Sequence, residues 1–204
     1  MLKQTVIAIR VTLVTLVVTG VIYPFAVTGL AQALFHDRAN GSMVKDQGVE
    51  IGSELIAQPF KSPGYFQPRP SAAGDNGYDA SNSSASNLGP TSKKLRDRVA
   101  ADIARLEQEN PEAVRPIPAE LVTASASGLD PHLSPEAAQW QIPRIARARG
   151  LSPERIRTVV ESTVEGRDLG IFGEPRVNVL RLNQALDLYF GRLHLPSAAQ
   201  VAPK

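Results

Sequence analysis

The sequence predicts an α+β protein: one N-terminal transmembrane helix followed by a single extracytoplasmic domain of mixed helices and strands. Three observations carry this. A long uncharged run stands at the N-terminus; the remainder mixes helical and short strand patterns without regular βαβ alternation; and 204 residues leave room for one ordinary domain beside an anchor. The implied division is 1–36 for a cytoplasmic N-terminus and span, 37–196 for the domain, and 197–204 for a loose tail.

From Val11 to Phe35 no charged side chain interrupts 25 positions. At about 1.5 Å per helical residue, this exceeds the roughly 30 Å hydrocarbon core of a bilayer. The small residues of Ala31-Gln32-Ala33 also resemble a signal cleavage site, but a signal core is usually only about 7–15 residues long, which favours a retained anchor. Lys3 and Arg10 precede the span, while His36, Asp37 and Arg38 follow it, so the positive-inside bias places the N-terminus in the cytoplasm. Within the span, Gly20, Gly29, Pro24 and the threonines 12, 15, 19 and 28 suit close packing against a partner helix. Pro24 leaves the Gly20 carbonyl without its usual donor.

Beyond the span, 65–90 has the composition of a linker, yet it holds Arg69 between two prolines, with Tyr78 and Asp79 beside a glycine turn at Asn76-Gly77. Its serines and asparagines can satisfy an irregular backbone, so an ordered loop is expected. Arg69, Tyr78, Asp79, Ser83, Ser84 and Asn87 are its candidate partner- or ligand-binding residues. Leu95, Val99, Ile103 and Leu106 then line one face of a helix, starting at Thr91 or Ser92 and ending at Asn110 before Pro111. Leu121–Ala124 reads as a short strand. Two Ser-Pro-Glu sequences, at Ser134 and Ser152, each begin a helix; Pro143 should kink or interrupt the first, and Gly150 should close it. Arg144, Arg147 and Arg149 read as a solvated basic face with partners among Glu154, Glu161 and Glu165, in preference to a phosphate clamp. Val177 to Leu182 reads as a strand, and Asn183 to Gly191 as a last short helix.

Several classes of chemistry are disfavoured. The pI near 9.0 comes from the N-terminal arm, because removing Lys3 and Arg10 leaves twenty basic and twenty acidic residues, so nucleic acid loses its main support. With no cysteine there is no disulfide, thiolate metal site or cysteine nucleophile. No phosphate-binding Gly-rich loop, nucleophile elbow or Ser-x-x-Lys dyad occurs. His36, His132 and His194 are scattered and give zinc little support. Asp75–Asp79 lacks the ligand alternation of a calcium loop. A membrane-anchored hydrolase using Ser84 or His132, or a binding protein released after Ala33, remains as the alternative class.

Four blocks carry a resemblance: Arg69–Gly74 (RPSAAG), Tyr78–Ser92 (YDASNSSASNLGPTS), Leu129–Leu151 (LDPHLSPEAAQWQIPRIARARGL) and Gly173–Asp187 (GEPRVNVLRLNQALD). In this order, behind a single span, they resemble the C subunit of the bacterial Kdp potassium-transporting P-type ATPase over nearly the whole chain. Ala85 stands where that family usually has Gly, which questions a left-handed backbone there. The resemblance implies a non-catalytic, single-pass subunit of the inner membrane, partnered by a channel-like potassium-binding subunit, a P-type ATPase subunit and a small single-span subunit. The chain lacks the Asp-Lys-Thr-Gly segment a P-type pump must phosphorylate. It further implies a catalytic chaperone that raises the pump subunit's affinity for ATP, with no tightly bound cofactor but ATP joining a ternary complex. An outer domain and cytoplasmic ATP fit together awkwardly. Stabilising or gating the potassium entrance, with coupling through packed helices, is the family's other option.

Overall fold

The computed structural model describes residues 1–193; His194 and the expected tail at 197–204 lie outside the described residues. The chain divides into two compact units, Met1–Ser53 and the part from Glu54 onward.

In the first unit, α1 (Leu2–Val17) and α2 (Tyr23–Leu34) form one apolar rod of 33 residues, joined by a π-helical turn over Val18–Ile22. At about 50 Å it is long enough to cross a bilayer, with a mean hydropathy of 2.2 and no residue of that window buried by the chain itself. The π turn sits just before Pro24. There the Tyr23 N–H reaches back five residues to the Val18 carbonyl, relaxing the stretch where a proline brings no donor. The Thr19 hydroxyl donates to the Thr15 carbonyl at 2.8 Å. A short helix α3 (His36–Ala39) leads into an antiparallel hairpin of β1 (Met43–Asp46) and β2 (Val49–Ser53). Its two-residue loop places Gln47 (φ 50°) and Gly48 (φ 83°) both in the left-handed region, as a primed hairpin turn requires. The hairpin is almost silent in the sequence, where Gln-Gly between two short segments with one valine each is its only signal.

The second unit packs four helices around a small antiparallel sheet. The helices are α4 (Lys93–Glu109), α5 (Pro135–Arg149), α6 (Pro153–Thr163) and α7 (Val179–Phe190). The sheet has the order β3-β5-β4, with β3 (His132–Leu133), β5 (Arg176–Asn178) and β4 (Val164–Glu165); Val177 faces Leu133 on one side and Val164 on the other. Phe66, Leu133, Ile142, Ile145, Ile156, Val160, Val177, Leu182 and Leu186 form the fully buried centre.

The helix starts follow their caps. Ser92, Ser134 and Asn178 each accept a hydrogen bond from the N–H three residues ahead, whereas Ser152 occupies its cap position without a side-chain bond. Gly150 closes α5 in the left-handed conformation (φ 64°).

Three expectations change, and a fourth element forms as expected but lies shallow. Leu121–Ala124 is not a strand: a 3-10 turn covers Ala119–Leu121, and the neighbours Leu121 and Val122 are both buried, which no alternating strand allows. The strand expected through Leu182 stops at Asn178, because that side chain caps α7 and turns Val179, Leu182 and Leu186 into a helical face. Pro143 does not interrupt α5, which runs unbroken with Trp140, Ile142, Ile145 and Ala146 buried about the proline; their burial outweighs one missing backbone bond. Finally, α4 lies at the edge of the core. Of its apolar face only Leu106 is buried, and Ile103 remains 36% exposed.

Candidate functional site

The 65–90 segment, without a strand or a helix, is pinned along its length by side chains. At its start, the amide of buried Asn183 accepts from the Phe66 N–H at 2.8 Å and donates to the Phe66 carbonyl at 2.9 Å. Gln141 does the same for Gln67, with both bonds at 2.9 Å. Two helical side chains thus supply the pairing a neighbouring strand would give, as buried backbone groups demand.

Two of the three arginines of α5, Arg144 and Arg149, belong to this arrangement, which corrects their assignment to a solvated face, whereas Arg147 is exposed as that reading expects. The buried Arg144 guanidinium donates to the Pro63 and Tyr65 carbonyls at 2.6 and 3.1 Å, and to Gln141 at 2.8 Å. Desolvation is the main cause pulling its pKa down to about 10. Arg149 donates to the Gly64 carbonyl and pairs with Asp187 at 2.9 Å, lying over the Tyr65 ring while the Tyr65 hydroxyl donates to the same carboxylate. Arg147 reaches Glu112 and the Glu109 carbonyl. None of the expected partners Glu154, Glu161 and Glu165 takes part, because Arg144 and Arg149 turn toward the 63–65 backbone and Arg147 toward the end of α4.

Further along, the loop folds onto residues 125–132. Arg69 pairs with Asp130 at 3.0 Å, and Asp130 also accepts from the His132 N–H. The Ser71 hydroxyl donates to the Gly128 carbonyl and accepts from the N–H groups of Ala73 and Tyr78. Tyr78 is held in the left-handed region (φ 57°), with its hydroxyl donating to the Arg69 carbonyl at 2.9 Å; desolvation pushes that phenol up to about 12. The Ser83 and Ser84 hydroxyls donate to the carbonyls of Ser127 and Ala72, and the Ser84 N–H to Ser127. The close approach explains Gly128: at φ 68°, a Cβ there would lie 2.7 Å from both the Ala73 nitrogen and the Ser84 oxygen.

Of the candidate residues, the structure therefore gathers Arg69, Tyr78, Ser83 and Ser84 into one polar weld. Asp79 and Asn87 stand exposed: Asp79 caps its own turn through Ser81, which holds its carboxyl below the usual range, and Asn87 is left-handed (φ 50°). Ala85 is not left-handed, so the missing glycine costs nothing there. A groove of about 620 Å³ between α4 and the loop has Lys61, Gln67, Asn76, Tyr78, Asp102 and Arg105 in its lining.

Chemically, this weld binds and positions. The Ser84 hydroxyl is engaged by a carbonyl and not by His132, whose Nδ1 lies 3.9 Å from Asp130, so the two residues proposed for hydrolysis do not form a nucleophile–base pair. Among the described residues no cluster of His, Asp and Glu is arranged to hold a metal ion. The loop and the segments it is tied to all fall within residues 5–188, which match the family described as K+-transporting ATPase, c chain.

The chain belongs to the KdpC family.

Relatives of the KdpC family agree over nearly full length. A potassium-transporting ATPase KdpC subunit of Myxococcus xanthus is 63% identical over 193 residues, covering 94% of this chain and 90% of that protein. That of Koribacter versatilis is 52% identical over 188 residues (92% and 95%), and that of Rhodospirillum rubrum 56% over 176 residues (86% and 91%). The chain is thus a subunit of a potassium-transporting ATPase, and the apolar Leu2–Leu34 helix is its candidate membrane span.

Proposed function

We propose that this KdpC-family chain is the non-catalytic subunit that stabilises the assembled potassium-import ATPase and acts as a catalytic chaperone, raising the affinity of the P-type ATPase subunit for ATP. The observation that carries the reading is the pairing of a 33-residue apolar helix, uncovered by its own chain, with a domain whose most distinctive loop spends the hydroxyls of Ser71 and Ser84 and the guanidinium of Arg69 on internal welds. Such a chain has a surface to offer to lipid and partners, and among the described residues Ser84 is not paired with a base. The partners in this reading are the channel-like potassium-binding subunit, the P-type ATPase subunit and the small single-span subunit. The N-terminus is cytoplasmic and the domain extracytoplasmic in the inner membrane, supported by Lys3 and Arg10 ahead of the span. ATP then meets this chain only by way of the complex, its effect transmitted as coupling.

The test compares the complex purified with and without this chain. The expected result is loss of potassium-stimulated ATPase recovery when residues 2–34 are deleted, and a raised KM for ATP in whatever complex remains. Normal potassium-limited growth of cells lacking the chain would end this reading. Protease digestion of sealed cells should cleave the domain from outside, and protection would place it with cytoplasmic ATP.

A further inference from the structure

Between β4 and β5 the chain makes a tight turn that breaks the usual economy of a surface loop. The Asp168 N–H donates to the Phe172 carbonyl and the Phe172 N–H returns to Asp168, both at 2.9 Å, closing a small antiparallel bridge. Arg176 grips the same Asp168 with two nitrogens at 3.1 and 3.2 Å, and Glu165 with a third at 3.1 Å. Arg167 pairs with Glu174 at 2.7 Å. From this braced frame Leu169, Ile171 and Phe172 project with 89%, 69% and 60% of their surfaces exposed.

Two features separate this turn from an incidental apolar spot. Leu169 is left-handed (φ 54°), where Gly or Asn would close the turn with less strain, so the leucine side chain is kept at the expense of the local backbone. The brace also holds the backbone that carries the three side chains in its turn before any partner arrives, and so lowers the ordering cost of docking.

We propose that the Leu169–Phe172 turn is a docking knuckle that seats its three apolar side chains in an apolar socket on another protein subunit of the ATPase. The charges choose protein over bilayer. Glu165, Asp168 and Glu174 set three carboxylates against the two guanidinium groups of Arg167 and Arg176, and both guanidinium groups are already engaged within the turn. An anionic lipid surface would meet a slightly negative rim with no free cation. An uncharged protein socket meets no such penalty.

The knuckle rests on the assembly reading above, and its experiment separates the two. Full-length chain in detergent is titrated onto the complex assembled without it. If the unaltered chain does not bind, the assembly reading itself fails and the knuckle with it. If it binds, Leu169→Asn and, separately, Ile171→Ser are each expected to weaken binding at least ~10-fold. Leu169→Asn should at the same time leave the thermal midpoint of the free chain unchanged or raised, since Asn suits the left-handed turn. Unchanged affinity in both variants overturns the knuckle alone.

The occupant is read separately. Because the sequence has no cysteine, Ile171→Cys carries the only label, an environment-sensitive fluorophore. In vesicles of phosphatidylethanolamine and phosphatidylglycerol the label is expected to stay water-exposed on the chain alone and to become shielded when the other subunits are present. Shielding without them, by brominated acyl chains or by a second copy, overturns the proposal, as does a label still exposed in the complex.

Discussion

Tyr78 combines a left-handed backbone with a phenol removed from water, and its hydroxyl ties the loop back to the Arg69 carbonyl. Its folded-state pKa, about 12, stands above the ordinary 10.0 because burial disfavours the phenolate; nearby Arg105 opposes the shift and Asp102 adds to it. The folded protein therefore holds this proton where the unfolded chain has lost it. Stability is intact below pH 10 and falls as pH rises from 10 through 12, by roughly 2–3 kcal/mol over that window. Tyr78→Phe removes both the hydrogen bond and the titration. At pH 7 it should be less stable by about 1 kcal/mol, for one lost bond. Above pH 10 that deficit should shrink and then reverse. Denaturant unfolding of the two proteins at pH 7, 9, 10.5 and 11.5 measures the gap, and a constant deficit would show that the phenol does not titrate as described. Arg144, pulled in the opposite sense, is common to both proteins and cancels in the comparison.

At the level of elements, the domain replaces strands with side-chain amides. The 63–67 backbone has no ladder partner, and α5 and α7 supply one through Gln141 and Asn183. Asn183→Leu keeps the volume but strands a buried N–H and a buried C=O of Phe66, which should cost about 2–5 kcal/mol in unfolding free energy. A smaller loss, with Phe66 amide exchange still slow, would mean that something else satisfies that backbone. The same substitution of side chain for strand explains what the sequence disclosed and what it hid. Caps and periodicity are local, so the starts of α4, α5 and α6 are legible from Ser92, Ser134 and Ser152 and Gly150 marks the end of α5, whereas Asn178 sits inside an alternating run that reads as a strand and hides the start of α7. The order of the 65–90 loop was legible from residues a linker does not need. Arg144 and Arg149 read as solvated because charge at helical spacing looks so by default, and only the fold brings the 63–65 carbonyls beneath them. Likewise, no pattern within a sequence announces that Asn183 answers Phe66, 117 residues away.

For the molecule as a whole, the decisive asymmetry is that one unit carries an apolar rod its own chain never covers. Gly20 and Gly29 sharpen the question of what does. A Cβ added at either position would meet no atom within 4 Å, so nothing in this chain requires a glycine there. Both sit in helical stretches, where glycine is unfavourable by roughly 0.5–1 kcal/mol against alanine. A residue that weakens its own helix and makes no room for its own chain is explained if it makes room for another helix. Gly20→Leu and Gly29→Leu should therefore leave membrane insertion and helix content unchanged, or slightly improved. Recovery of the intact complex in detergent should fall several-fold for each and further for the pair. Pro24, beside the π turn, should be less sensitive, because its carbonyl mismatch is already relaxed within the helix. Insertion is checked by carbonate extraction, helicity by circular dichroism and assembly by co-purification with potassium-stimulated ATPase. If both leucine variants co-purify as well as the parent, the glycines face lipid, and the packing of this span must be sought on its other face.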